Sequence, residues 1–279
     1  MYTRNDICAV IVTYNPENDV FNNVKRTAEQ VDKVFVIDNS EAMDWGVENL
    51  LKDNKNVIVY QYFKNMGIAE ALNKGLTLAN EHGYKLLITL DQDSEIELEY
   101  VAKVLHIFNQ YSLQPLSIGP NYANLKIEGD MKKQTHLICS GQIFKVEDGV
   151  KVGGFNNKLF IDSVDFDFSL KLRNNGIRLY IINNLHMFHT IGEKITVGSK
   201  NEKVLMVHNS FRYYYIFRNN IYIIFKYIWK NPIFCIKKQV STSFLFYKIV
   251  FSYPNKKRNV GMAMKGIYHG LISRYGRLR

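Results

Sequence analysis

The sequence has few cysteines and no long apolar run. These two absences argue against a disulfide-rich protein and against a membrane-spanning one. Its three cysteines, Cys8, Cys139 and Cys235, lie far apart without a C-x-x-C pair, which argues against a disulfide framework and a cysteine zinc site. The polar amino terminus lacks the pattern of a secretory leader. No segment reaches the ~18 uncharged apolar residues that would span a bilayer. These features predict a cytoplasmic protein with reduced thiols.

Acidic side chains are nearly missing from the C-terminal part of the chain. Residues 201–279 hold nine Lys and six Arg against a single acid, Glu202, so their formal charge is +14. The whole chain carries +10, so residues 1–200 carry −4. A mildly acidic body joined to a basic tail indicates an anionic partner, and the candidates are a membrane surface, nucleic acid or phosphorylated ligands.

The same tail is rich in aromatic and aliphatic residues that alternate with basic ones. Three basic residues, Arg212, Arg218 and Lys226, interrupt the most apolar segment, 210–229. We therefore expect a helical extension that lies at an anionic membrane interface instead of spanning the bilayer. Composition changes near residue 200 without a Pro- or Gly-rich linker. Two regions are predicted, a catalytic domain at 1–200 and the membrane-associating extension at 201–279.

Strand and helix patterns alternate over the first hundred residues. Continuous runs rich in β-branched residues predict buried strands, and apolar residues at helical spacing predict helices. The predicted strands are 7–14, 33–38, 56–62 and 85–90, and the predicted helices between them are 19–31 and 67–82. A further short helix is predicted at 163–175. This order indicates an α/β fold with a mostly parallel sheet.

Polar residues end three of these predicted strands. Asp91-Gln92-Asp93 follows the fourth strand, Asp38 ends the second, and Thr13-Tyr14-Asn15 ends the first. Ligands of parallel α/β sheets bind at the carboxyl ends of strands, so the three ends predict a nucleotide pocket. Two carboxylates one residue apart can hold a divalent cation, and through it a diphosphate. The alternative is an acidic turn in which Asp93 or Ser94 caps a following helix.

Two other protein classes share parts of this pattern. A nucleotidyltransferase also combines an α/β fold with acidic metal ligands, but it usually carries a Gly-rich phosphate loop with a basic residue near its first strand. Residues 7–17 contain no Gly, Lys or Arg, which argues against that class. A nucleic-acid-binding protein would use the basic tail for phosphates and its aromatic residues for base stacking.

Six segments in register resemble inverting glycosyltransferases of family 2, most closely their bacterial rhamnosyltransferase branch. The segments are AVIVTYNP (9–16), VFVIDNS (34–40), KNMGIAEALNKG (64–75), LITLDQDS (87–94), GGFNNKLFIDSVDFDFSLKLRNNG (153–176) and HTIGE (189–193). They lie within residues 7–195, about two thirds of the chain. The resemblance implies the GT-A fold, a Rossmann-like, mostly parallel sheet flanked by helices. It also implies transfer of a sugar from a nucleoside diphosphate to a hydroxyl, with inversion.

The resemblance also assigns a donor site. It implies that Thr13, Tyr14, Asn15 and Asp38 hold the nucleoside. Residues at the start of the 67–82 helix would lie beside the nucleotide and sugar, namely Asn65, Gly67, Ala69 and Asn73. Asp91 and Asp93 match the motif that holds Mg²⁺ or Mn²⁺ at the diphosphate, with Gln92 on the donor side. His189 matches a histidine that in some relatives approaches the metal or diphosphate, and a structural role is its alternative.

Asp165 matches the aspartate that this superfamily uses as general base. Many members have Glu-Asp at this place, whereas this chain has Val164-Asp165, so the preceding acid is missing and the base remains. The rhamnosyltransferase branch commonly shows this apolar-Asp form. On residue grounds alone, Asp162, Asp165 and Asp167 could all cap a helix start and face solvent.

The implied donor is dTDP-L-rhamnose, and UDP-linked hexoses are the alternative donors. The implied acceptor is a lipid-linked saccharide of bacterial surface polysaccharide. Lys and Arg of the tail would meet anionic head groups, with Tyr and Trp at the interface. We thus expect a protein that is peripheral on the inner face of the cell membrane, with no nucleic-acid partner. The sequence leaves the oligomeric state open, a homodimer included.

Overall fold

A computed structural model describes residues 1–17, 19–42, 50, 52, 54–122, 124–189, 193–197 and 203–278. The side chains of residues 19, 189, 193–197 and 203–206 are outside this description. The chain forms two compact units, Met1–Asn156 with Val164–Thr190, and Asn157–Ser163 with Ile191–Arg279. The predicted boundary at residue 200 falls outside the described residues and stays a prediction.

The first unit begins with the predicted alternation of strands and helices. Its elements are β1 (Ile7–Thr13), α1 (Asp19–Gln30), β2 (Lys33–Asp38), β3 (Val57–Gln61), α2 (Ile68–Glu81) and β4 (Leu86–Asp91). The four strands pair in parallel in the order β3-β2-β1-β4. All seven residues of β1 are buried, as expected for a strand covered on both faces. The predicted strands and helices of this half are confirmed.

The second half of this unit extends the sheet with strands in mixed orientation, because β6 and β9 pair in parallel and the other pairs are antiparallel. Its elements are β5 (Ser94–Ile96), α3 (Tyr100–Gln110), β6 (Leu116–Pro120), β7 (Met131–Lys133), β8 (Gln142–Lys145), α4 (Val146–Lys151), α5 (Val164–Asn174), β9 (Arg178–Ile182) and β10 (Met187–His189). β8 pairs antiparallel with β4 and continues the sheet in the order β8-β6-β9-β7. β10 pairs antiparallel with β5 in a separate ribbon. The result is a mixed α/β fold with helices on both faces of the sheet.

The core lies on both faces of the sheet. Apolar residues of β1, β2 and β4 pack with those of α1 and α3 on one face. On the other, α2 turns Ala71, Leu72, Leu76 and Ala79 inward, which gives it one continuous apolar stripe. Phe168 of α5 stacks on Phe155 at 4.1 Å between ring centroids and meets Phe144 of β8 at 4.9 Å. These contacts anchor the helix that carries Asp165.

The second unit contains a two-stranded antiparallel ribbon and three helices. They are β11 (Glu193–Val197), β12 (Lys203–Val207), α6 (Ser210–Tyr227), α7 (Pro232–Phe251) and α8 (Lys256–Leu271). The buried Arg218 guanidinium of α6 donates to the carbonyl oxygens of Lys158 and Leu159, at 3.1 and 2.8 Å. This explains why segment 157–163 belongs to this unit. None of the helices described for the chain has the length and apolarity needed to cross a bilayer.

Candidate active site

The carboxyl ends of β1, β2 and β4 lie side by side. Thr13 is in register with Asp38, and Val12 is in register with Asp91. The polar residues that end these strands therefore meet at one edge of the sheet, as the sequence predicts. This is the edge at which parallel α/β sheets bind their ligands.

Asp38 organises the loops at this edge. The residue is fully buried, and its Oδ1 accepts hydrogen bonds from Thr13 Oγ1 at 2.9 Å and from Ser40 Oγ at 2.6 Å. Ser40 Oγ in turn accepts from the main-chain N–H of Asn15 at 2.7 Å. The side chains of Tyr14 and Asn15 are exposed at the same edge. The predicted contacts of these residues with a nucleoside stay a prediction.

The Asp91-Gln92-Asp93 turn is joined to the loop after β1. Gln92 Oε1 accepts from Tyr14 N at 2.7 Å, and the Gln92 carbonyl accepts from Asn23 Nδ2 at 3.0 Å. The turn leads into the strand β5, and the next helix, α3, begins only at Tyr100. The alternative in which Asp93 or Ser94 caps a following helix is therefore wrong. Asp91 is partly exposed and Asp93 is exposed, so both carboxylates can reach a ligand.

The loop Cys139–Gly141 lies against the end of β4. The main-chain N–H of Asp91 donates to Ser140 Oγ at 3.1 Å, and that hydroxyl also bonds with Ser94 Oγ. Gly141 has a positive φ of 75°, and a Cβ at this position would come within 2.9 Å of Pro120 and the Met187 sulfur. Only glycine meets both conditions without strain.

The thiol of Cys139 is affected by the charges of two of the predicted site carboxylates. Burial raises the pKa of the Cys139 thiol, and negative charge on Asp165 and then on Asp91 raises it further. The charges of both carboxylates therefore act on the same buried thiol. Sequence reasoning missed the loop that carries it. The available signal was the Ser140-Gly141 pair directly before the apolar run of β8.

Asp165 is the second residue of α5. The chain enters this helix through Asp162 and Ser163, which both have positive φ values, 62° and 60°, a conformation costing roughly 1–3 kcal/mol per residue. Asp165 is partly exposed, and its Oδ1 accepts from Phe166 N at 2.9 Å. Burial raises the pKa of Tyr122, and the negative charge of Asp165 raises it further.

A small cavity lies near the start of α5. It has a volume of about 130 Å³, and its lining includes Tyr122, Gln134 and His136. The His136 ring packs on that of Phe166, the neighbour of Asp165, at 4.7 Å between centroids. Polar and aromatic side chains thus lie next to the helix turn that carries the predicted base. None of these three lining residues is recognisable from the sequence alone.

The two other aspartates of this segment have structural partners. Asp162 forms an ion pair with Arg212 at 2.7 Å, within the second unit. Asp167 is fully buried, 3.5 Å from Lys171 Nζ one helical turn later. The expectation that all three aspartates face solvent as helix caps is therefore wrong for Asp167. The assignment of Asp165 as general base stays a prediction.

The start of α2 is joined to the end of β2. Asn39 Nδ2 donates to the Gly67 carbonyl at 3.2 Å, and Asn39 Oδ1 accepts from Met66 N at 3.2 Å. Asn65 Oδ1 accepts from Gly67 N at 3.0 Å. Gly67 has a φ of 89° and Ala69 is fully buried, so small residues let this helix start approach the sheet edge. The predicted donor contacts of Asn65, Gly67 and Ala69 stay predictions.

Asn73 bonds with a loop of the protein. Its Nδ2 donates to the Phe155 carbonyl at 2.8 Å, and its Oδ1 accepts from Phe155 N at 2.7 Å. Both ends of the amide thus hold the main chain after Gly154. The contact of Asn73 with nucleotide or sugar, which the resemblance implies, stays a prediction beside this structural role.

His189 lies near the acidic turn by its backbone. β10 places its Cα opposite that of Ser94, the residue after Asp93. The His189 side chain and residues Thr190, Ile191 and Gly192 lie outside the described part of the chain. The predicted metal contact of His189 therefore stays a prediction.

The donor set fits a divalent cation that also binds substrate. Asp91 and Asp93 supply the carboxylate oxygens that Mg²⁺ and Mn²⁺ prefer. Among the side chains that the structure describes, no three His, Cys, Asp or Glu groups converge as a complete ligand set. Mg²⁺ is commonly held by one or two carboxylates, with substrate phosphates and water completing its shell. The two aspartates are compatible with that mode.

Comparisons with known proteins agree with this architecture. The family model of glycosyl transferase family 2 matches residues 8–158. The chain is 30% identical over 239 residues to the dTDP-rhamnosyl transferase RfbF of Shigella flexneri. The aligned residues cover 77% of this chain and 79% of that protein.

Two solved glycosyltransferase structures share the fold. The structure of residues 1–349 of S. aureus TarS superposes with a TM-score of 0.62 and 14% identity, over 96% of this chain and 82% of that one. GalNAc-T7, crystallised with UDP, GalNAc and Mn²⁺, superposes with a TM-score of 0.56 and 15% identity, over 66% of this chain and 44% of that one. Identities this low show the fold alone. The family model and the identity to RfbF exclude the nucleotidyltransferase alternative, and the chain belongs to glycosyl transferase family 2 as a glycosyltransferase of the GT-A fold.

Proposed function

We propose that this glycosyltransferase moves L-rhamnose from dTDP-L-rhamnose to an acceptor hydroxyl, with inversion at the anomeric carbon. The identity to a dTDP-rhamnosyl transferase, 30% over 77% of this chain, supports the donor. The observation that carries the chemistry is that segment 137–141 bonds both to Asp91, through Ser140 Oγ, and to α5, the helix of Asp165, through the main-chain N–H of Leu137, which donates to Ser169 Oγ. Inverting transfer needs a charge-stabilising group at the leaving diphosphate and a base at the acceptor.

The donor would lie along the carboxyl ends of β1, β2 and β4. The nucleoside would contact the loop after β1 and the end of β2, through Thr13, Tyr14, Asn15 and Asp38. The diphosphate and sugar would pass the start of α2. Main-chain N–H groups at a helix start can donate hydrogen bonds to an anion such as the diphosphate. The residues proposed there are Asn65, Gly67, Ala69 and Asn73, with Gln92 on the opposite loop.

Asp91 and Asp93 would hold Mg²⁺ or Mn²⁺, and His189 is a candidate third ligand. When bound, the cation stabilises the negative charge that develops on the leaving nucleoside diphosphate. The protein contributes the position of the two carboxylates. It holds Asp91 through the bond of its N–H to Ser140 Oγ, and it holds the turn through the bond between Gln92 and Tyr14.

Asp165 would act as the general base. An alcohol is a weak nucleophile at neutral pH, and a carboxylate within hydrogen-bond reach removes its proton as the new bond forms. The acceptor oxygen bonds to the anomeric carbon while the bond to the diphosphate breaks, so one displacement inverts that centre. Asp165 suits this role because it is partly exposed, whereas Asp162 and Asp167 are engaged by Arg212 and Lys171.

The acceptor proposed here is a lipid-linked saccharide of bacterial surface polysaccharide, reached from the cytoplasmic face of the membrane. The formal charge of +14 on residues 201–279 supports a peripheral position on an anionic surface. We propose no nucleic-acid partner, because the family match and the identity to a dTDP-rhamnosyl transferase support a nucleotide sugar as the ligand. The predicted division into 1–200 and 201–279 is part of this proposal.

A donor panel tests the proposed function. Purified protein is incubated with Mg²⁺ or Mn²⁺, a rhamnose-accepting saccharide and each of several nucleotide sugars, and released nucleotide is measured. We expect the highest kcat/KM with dTDP-L-rhamnose. Preferential turnover of UDP-galactose, UDP-glucose or UDP-N-acetylhexosamine would replace the donor and leave the enzyme class intact.

A further inference from the structure

Helix α7 exposes an apolar stripe along its whole length. Six side chains form the stripe, and each is more than half exposed: Ile233, Ile236, Val240, Phe244, Tyr247 and Phe251. Successive members are three or four residues apart, so they lie on one side of the helix. The buried residues Cys235, Thr242 and Ile249 lie on the opposite side and face the core of the second unit. We call the six exposed residues the α7 stripe.

Aromatic rings within the stripe lie next to one another. The Tyr247 ring lies 6.3 Å from Phe244 and 4.6 Å from Phe251, between centroids. Nearby, at the end of α6 and in the turn to α7, Phe225 is 60% and Trp229 is 92% exposed. An exposed apolar surface of this extent marks an interaction site. Aromatic residues at its edge are typical of side chains that settle at a lipid–water interface.

Only positive charge surrounds the stripe on its own helices. Residues 203–279 contain no Asp or Glu, whereas Lys237 is exposed and Lys238 is partly exposed on α7 itself. Lys248 Nζ lies 4.6 Å from the centre of the Phe244 ring, so its charge borders the stripe. An apolar surface bordered by lysines complements an anionic membrane, in which apolar chains lie below negatively charged head groups.

We infer that α7 lies in the plane of an anionic membrane, with the α7 stripe inserted among the lipids and the neighbouring lysines at the head groups. This inference deepens the proposed membrane location, because it names the surface that binds. A second copy of the chain is the less favourable occupant. Two copies that meet through their stripes would bring lysines of like charge together without an acid on these helices to pair with them.

Vesicle sedimentation with matched variants tests this inference. The triple variant Val240→Ser, Phe244→Ser and Tyr247→Ser removes apolar area without changing charge. Leu98 and Leu113 are 70% and 98% exposed in the first unit, so Leu98→Ser with Leu113→Ser is the matched control. Vesicles contain phosphatidylcholine with or without phosphatidylglycerol. Circular dichroism and thermal melting establish that each variant is folded.

We expect the wild type and the control to bind vesicles that contain phosphatidylglycerol. The triple variant should bind at least about tenfold more weakly, because three large apolar side chains no longer contribute to burial in the lipid. Lys237→Gln with Lys238→Gln should weaken binding and reduce its salt dependence. Equal binding of the triple variant and the wild type would overturn the inference. A second result would also overturn it: a wild type that is dimeric in light scattering, together with a triple variant that is monomeric. The stripe would then be covered by a second copy of the chain.

Turnover of dTDP-L-rhamnose with a soluble acceptor separates this inference from the proposed function. The triple variant should keep wild-type turnover, since the stripe lies outside the residues proposed for catalysis. Absence of rhamnose transfer by every sample would refute the proposed donor while the vesicle result still stood. If transfer is normal and the triple variant binds vesicles as the wild type does, the inference about the α7 stripe is refuted and the proposed function is not affected.

Discussion

Asp38 and Asp93 are two aspartates at the same edge of the sheet, in opposite environments. Asp38 is fully buried, and its Oδ1 accepts from Thr13 and Ser40, so it orders the loops of the sheet edge. Asp93 is exposed at the tip of its turn. A buried carboxylate that satisfies neighbouring donors contributes to structure, and an exposed one is available to a cation. We therefore expect changes at Asp38 to destabilise the protein and changes at Asp93 to affect activity.

The first prediction concerns the cation. Asp93→Ala should lower transfer by at least about 100-fold at fixed Mn²⁺ concentration, because the leaving diphosphate loses electrostatic stabilisation. The melting temperature should stay at the wild-type value, since the side chain is exposed. Activity is measured across a Mn²⁺ titration, and Glu81→Ala, an exposed acid at the end of α2, is the matched control. Wild-type transfer in the presence of EDTA would rule out a cation at this turn.

Among the elements of the first unit, helices α2 and α5 are both hydrogen-bonded to the loop Gly153–Phe155. Asn73 of α2 holds the main chain of Phe155 with two hydrogen bonds, at 2.8 and 2.7 Å. Lys171 of α5 donates to the Gly154 carbonyl at 2.7 Å and pairs with Asp167. The helix that starts beside the proposed donor site and the helix that carries Asp165 are thus bonded to the same loop.

The second prediction tests that connection with two neighbouring glycines. Both have positive φ, but a Cβ on Gly154 would come 2.4 Å from Asn73 Oδ1, whereas a Cβ on Gly153 would meet nothing within 4 Å. Gly153→Ala should cost about 1–2 kcal/mol of unfolding free energy, for backbone strain alone. Gly154→Ala should cost about 1–3 kcal/mol more, because the Asn73 bonds are disrupted. Denaturant unfolding measures both.

Transfer activity separates the two glycine variants as well. We expect Gly154→Ala to lower kcat more than Gly153→Ala does, because α5 loses a contact that positions it. Equal stability and equal activity of the two variants would contradict the proposed connection between α2 and α5. In the double variant Gly154→Ala with Asn73→Ala, the clash is absent, so the costs of the single changes should not add.

At the scale of the whole molecule, the sequence predicts the parallel half of the sheet well. The residues of β1, β2 and β4 are continuous apolar runs that end in polar residues, so both the strands and their functional ends are visible locally. The loop Cys139–Gly141 is different. Its contacts with Asp91 and Ser94 join residues 49 and 46 positions apart, and no local pattern encodes such a pairing.

Residue type alone also leaves the roles of polar residues open. Asn73 and Asp38 match positions that the family resemblance assigns to the donor, and in the structure both form bonds that hold the protein together. The acidic turn shows the opposite case. A helix cap and a cation ligand are equally compatible with Asp91-Gln92-Asp93, and only the strand pairing of Ser94–Ile96 with β10 removes the cap.

The central claim is that Asp165 is the general base of rhamnosyl transfer, and Asp165→Asn tests it most directly. The amide keeps the size of the side chain but cannot accept the acceptor proton. Donor affinity by calorimetry and transfer rate are measured on the same sample, with Asp162→Asn as the comparison variant. The account predicts unchanged dTDP-L-rhamnose affinity and transfer lowered about 10²- to 10⁴-fold for Asp165→Asn only. Wild-type affinity together with near-wild-type transfer by Asp165→Asn would contradict it.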